Sequence, residues 1–161
     1  MTSEVGPASS GTLTILRGVM LGIQIFSLLG TGIELLLLEH TEDAWQLSPL
    51  VLIGLCLTVL AWHAVRRGPL SLRVFQLTML LFLGSGVAGA LLHYRGNVEF
   101  EREMTPALTG GELFKRAMMG ATPALAPGTM IWLGLLGLAY AFRHPALTAG
   151  TKRPTTNDQR P

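Results

Sequence analysis

Apolar residues run through four stretches of the chain, 18–33, 44–65, 74–94 and 117–142, and none of these holds an Asp, Glu, Lys or Arg. Crossing the roughly 30 Å of hydrocarbon in a bilayer takes about 20 helical residues. The last three stretches reach that length unaided, whereas the first reaches it only by running through Glu34 into the leucines at 35–38. The pattern therefore predicts an all-α integral membrane protein, an up-down bundle of four helices over about 13–38, 47–66, 72–94 and 124–143. Residues 1–12 and 144–161, rich in Ser, Thr, Gly and Pro, are expected to be flexible. The first 14 residues carry Glu4 as their one charge and no basic region, so the first span is expected to stay in the mature chain.

Local punctuation sharpens these limits. Ser48-Pro49 and Ala126-Pro127-Gly128 have the residue types that open helices, and Arg143-His144-Pro145 is a stop. Gly68-Pro69 falls where the second and third spans need a turn, which makes them a tight hairpin. The connection from Arg95 to about Ala126 is far longer than the usual 2 to 8 residues between bundle helices. Within it Val98, Phe100 and Met104 alternate with Glu99, Glu101 and Glu103, a period of two that predicts an extended segment. Beyond Thr109-Gly110-Gly111, Leu113, Ala117 and Met118 oppose Glu112 and Arg116, the pattern of a short interfacial helix ending at Gly120.

Composition agrees with a lipid environment. Charged residues make up 14% and hydrophobic ones 49%, with a mean hydropathy of +0.45, against about 25% charged in soluble domains. The net charge of +2 comes with no basic patch interleaved with aromatics, which excludes nucleic acid as a partner. Cys56 is the single cysteine and has no internal disulfide partner. Basic residues resist translocation. Placing the N-terminus inside puts Arg17, Arg66, Arg67, Arg73, Arg143, Lys152, Arg153 and Arg160 on the inner side and Arg95, Arg102, Lys115 and Arg116 outside. Both termini are thus expected to be cytoplasmic, in a cell membrane.

Within the spans, two kinds of face stand out. Arg17, Gln24, Ser27, Thr31 and Glu34 follow helical spacing along one side of the first span. Such a stripe belongs in the bundle interior, against a partner or beside water, which makes Gln24 and Glu34 the expected buried polar residues. On the third span the run from Gly84 to Ala90 places small residues four apart, a close-packing signal carried by Gly84, Gly86, Gly89 and Ala90.

The four histidines are the candidate haem ligands. His40 and His93 fall near the outer ends of spans one and three, His63 and His144 near the inner ends of two and four, so an up-down bundle makes each pair diagonal. Two imidazoles facing across a core would suit haem b. No metal-ligand spacing, phosphate loop or nucleophile with its base occurs, so neither a metal site nor a catalytic residue is assigned. The expected function is a non-catalytic accessory or assembly subunit without a cofactor, in contact with lipid and with a membrane partner or further copies of itself. A haem-binding or proton-conducting component of a redox system is the alternative, and a small oligomeric transporter comes third.

Overall fold

A computed structural model describes residues 7–120 and 124–148. Among them every regular element is helical: α1 (Pro7–Leu37), α2 (Ala44–Arg66), α3 (Pro69–Met104), α4 (Gly110–Met118), α5 (Gly128–Ala141) and α6 (Pro145–Thr148). Three of these, over Gly11–Leu37, Ala44–Arg66 and Pro69–Met104, are long and apolar enough to cross a membrane, and α5 is a shorter apolar helix. The part of 1–12 that is described, from Pro7 onward, already belongs to α1. Residues 1–6, 121–123 and 149–161 lie outside the described residues.

The helix ends follow local chemistry. After α1, Glu39 takes a left-handed φ of 51°. This lets the N–H of His40 reach Leu35 O at 3.0 Å and that of Glu39 reach Leu36 O at 3.1 Å, satisfying carbonyls left over at the helix end. The start of α2 differs from the Ser48-Pro49 expectation. Asp43 caps it, its Oδ1 accepting the N–H groups of Trp45 (2.7 Å) and Gln46 (2.8 Å). Pro49 then sits inside the helix and cannot donate to Trp45 O. The hydroxyl of Ser48 donates to that carbonyl instead, at 2.8 Å. At the other end of α2, Arg67 turns the chain with φ 44°, and Pro69 opens α3 directly after Gly68.

α3 is the largest departure from the sequence reading. It does not stop near Tyr94 but runs for 36 residues, about 54 Å of helix. The extended segment expected around Val98, Phe100 and Met104 is helical. Three apolar and four charged residues over so short a stretch fit either period, and helix-forming Glu, Arg and Met let the established helix continue. Conversely, the uncharged run 117–142 is not one helix. Its last part alone forms α5, 14 residues long, and Pro127 just before it prevents continuous helix.

α1 packs on α2, α2 on α3, α3 on α5 and α5 back on α1, while α4 and α6 both pack on α3. Leu28, Cys56, Leu72, Phe75, Met79, Phe82, Leu133 and Ala141 are fully buried between them. The α3–α5 seam is the tightest. A Cβ on Gly86 would stand 2.9 Å from both the Ile131 nitrogen and the Pro127 carbonyl oxygen, and one on Gly89 2.9 Å from the Pro127 ring. Gly134 and Gly137 return the arrangement from α5, against Met79, Leu83 and Phe75. Small residues on both helices let the backbones meet. Gly84, by contrast, faces open space, and Ala90 lines a groove beside α4.

Candidate functional site: a histidine pair at the helix ends

The N-terminal part of α1, the end of α2, the start of α3 and the end of α5 meet in one polar cluster. Its centre is His63 and His144, whose ring centroids are 5.7 Å apart with planes at 74°. His63 is buried, at 8% exposure, and its Nδ1 lies 2.8 Å from Ser71 Oγ. Ser71 has a single hydroxyl proton and donates it to Gly68 O at 3.0 Å. The Nδ1 of His63 therefore carries a proton and donates to Ser71, which leaves the lone pair of the neutral ring on Nε2. His63 and Ser71 stand equally far from Arg67, so the hairpin itself brings them together.

His144 is arranged the other way round. Its Nδ1 accepts the N–H of Ala146 at 3.2 Å, so the proton of the neutral ring is on Nε2. Tyr140 stacks obliquely on it at 5.3 Å and in turn meets Phe75 edge to face at 5.9 Å. Arg17 reaches across from α1 and donates through Nη2 to the carbonyls of Arg143 (3.0 Å) and Phe142 (3.4 Å), placing a cation at the end of α5. Burial first, then His63 and Arg17, hold the His144 imidazole below its usual titration range.

This geometry does not fit haem. Bis-imidazole ligation needs both rings to aim a nitrogen at an iron from opposite faces of a flat macrocycle. His63 and His144 instead meet edge to face, with Tyr140 stacked on His144. The other two histidines sit apart in the chain order of the fold, His40 in the turn after α1 and His93 within α3, and both are half-buried. Among the described residues no three His, Cys, Asp or Glu gather as a metal site.

Deeper in the core, Gln24 is fully buried and its Nε2 lies 3.6 Å from the Met79 sulfur, while its Oε1 has no hydrogen-bond partner among the described residues. Ser27 and Thr31 of the same stripe are half-buried. Glu34 departs from the expectation of burial and is exposed on the chain surface. It lies in the last turn of α1, which ends at Leu37.

A second surface forms where α3 overshoots. Asn97, 4% exposed, donates from Nδ2 to Ala117 O at 2.8 Å and thereby fastens α4 to α3. Leu113 and Ala117 are buried in that contact. Arg116 bridges Glu112 (3.4 Å) and Glu101 (3.9 Å). Phe100, Met104, Phe114, Met119 and Leu125 remain exposed. Between α3 and α4 lies an open groove of about 320 Å³, lined among others by Leu91, Tyr94, Phe114 and Met118. Sequence reasoning missed Asn97, although an Asn four residues before Glu101 marks one helical face. No protein-family model, curated protein or solved structure matches the chain.

Proposed function

We propose that the chain is a small multi-pass membrane protein, a four-helix up-down bundle with both termini on the cytoplasmic side, acting as a non-catalytic accessory or assembly subunit. The single observation that carries this reading is the lobe built from the end of α3 and α4. A 36-residue α3 is far longer than about 30 Å of hydrocarbon requires, so its last turns project beyond the bilayer with α4 folded against them. There, the exposed Phe100, Met104 and Phe114 are apolar side chains in water, a surface that belongs against another protein.

The polar cluster at the opposite end supports the same reading, because its hydrogen bonds tie helix ends together: His63 to Ser71 across the α2–α3 turn, and Arg17 of α1 to the carbonyls of Phe142 and Arg143. Photocrosslinking from a benzoylphenylalanine at position 104 in native membranes tests the proposal. A discrete protein adduct that disappears with Phe100→Ser and Phe114→Ser supports it. Adducts with lipid alone, or none, would set it aside.

A further inference from the structure

The short helix α6 begins on a titratable group. His144 Nδ1 takes the N–H of Ala146 at 3.2 Å, and the His144 carbonyl takes the N–H of Leu147 at 2.9 Å. Ala146 and Leu147 pack against the buried core, and α6 lies on α3. The histidine thus forms the first turn of an element that closes this end of the helices.

The bond from Ala146 exists only while Nδ1 has its lone pair. A second proton on the ring turns Nδ1 into a donor, and two N–H groups then point at one another. Among the described residues the surroundings offer that proton no counter-ion. α1 presents Arg17, α2 presents His63 and its neighbour Arg67, α5 presents Tyr140, and the connecting loop carries Arg143, whose guanidinium lies 5.5 Å over the Phe142 ring. α3 presents Ser71 and Phe75, which do not titrate, and its Arg73 is exposed. No Asp or Glu occurs in 11–20, 60–75 or 138–148, the segments that make up this end. His63 has its remaining lone pair on Nε2, but it lies beside two arginines of its own, Arg66 and Arg67.

We propose that His144 is a pH-sensitive catch, which in its neutral form holds α6 against the base of the core and on protonation lets α6 swing free. The device works by exchange of an acceptor for a donor at one atom, Nδ1. It uncovers the apolar surface beneath Ala146 and Leu147 on the cytoplasmic side of the proposed bundle, so its consequence is a face that opens when that compartment acidifies.

The test places a nitroxide at Leu147→Cys in the purified protein in lipid nanodiscs, where Cys56 is fully buried and does not compete for label. The expected spectrum is immobilised at pH 8 and mobile at pH 5, with a midpoint below the ordinary imidazole value of about 6.5. His144→Asn sets Oδ1 where Nδ1 stands and does not titrate, so its label stays immobilised at both pH values. His144→Leu has no acceptor and its label is mobile at both. A label at Leu91→Cys, far along α3, keeps its spectrum throughout and separates release of α6 from general unfolding. The proposal is overturned by an unchanged wild-type spectrum between pH 8 and 5, by a transition that persists in His144→Asn, or by mobilisation of both labels together.

Discussion

Adding one methyl group at Gly86 tests the α3–α5 seam more sharply than any truncation. The new Cβ would stand 2.6 Å from Ile131 Cγ1 and 2.9 Å from both the Ile131 nitrogen and the Pro127 oxygen, where ordinary contact begins at 3.4 Å. The isoleucine side chain can turn away, but the two backbone atoms belong to α5 and move only with it. Relief therefore requires the helices to part by about half an ångström, a gap that forfeits a quarter or more of each dispersion contact along the seam. Overpacking of this kind costs about 1–3 kcal/mol, and the better helix propensity of alanine returns up to about 1 kcal/mol. A net loss of about 1–2 kcal/mol lowers the midpoint of thermal unfolding of a chain of this size by roughly 2–8 °C. Gly84→Ala, two residues away on the same helix, meets nothing within 4 Å and should leave the midpoint unchanged or raise it. Thermal melts of both variants in one detergent compare them directly. Equal midpoints, or a larger loss at position 84, would refute the placement of the seam.

Three further outcomes follow from single contacts. Asn97→Leu removes the donor to Ala117 O and should cost about 1–3 kcal/mol locally, read as faster hydrogen exchange over 113–118 with α1 and α2 unchanged. Gln24→Leu keeps the volume and deletes a buried Oε1 that has no partner among the described residues, so its melting midpoint should equal or exceed that of the parent. His144 is held below the ordinary imidazole range by burial, then by His63 and Arg17, whereas the unfolded chain takes up its proton near pH 6.5, on the order of the free-residue value. Below that pH the unfolded state binds more protons, so stability is complete above it and falls as pH drops. A melting series from pH 8 to 5 should show this slope, and His144→Asn should flatten it.

The apolar runs at 44–65 and 74–94 made α2 and most of α3 legible, whereas the still longer run 117–142 is broken before Pro127 and forms only the short α5 at its end. The hairpin was legible from Gly68-Pro69, and the short helix after Thr109 from the spacing of Leu113 and Ala117. What escaped was decided by tertiary contacts. The end of α3 depends on Asn97 finding the Ala117 carbonyl, and a period-two alternation of Glu with apolar residues does not reveal that partner. The start of α2 depends on Ser48 Oγ taking over a carbonyl that Pro49 leaves free, so the same dipeptide that reads as a helix start stands in a helix interior. At the site, pairing His63 with His144 required only the order of the spans. Their edge-to-face meeting, and with it the misfit to haem, required the rotation of α2 and α5 about their axes, which hydropathy does not specify.

The most direct test of a four-span bundle with cytoplasmic termini is labelling of single cysteines with an impermeant maleimide in intact cells and again after permeabilisation. Cysteines at Thr41 and Thr109 should label in intact cells, and those at Gly68 and Thr151 only once the membrane is opened. α5, with 14 residues, is the shortest of the four proposed crossings and the one this pattern examines hardest. Labelling of Thr151 together with Thr109 in intact cells would mean that α5 does not cross and would contradict the account.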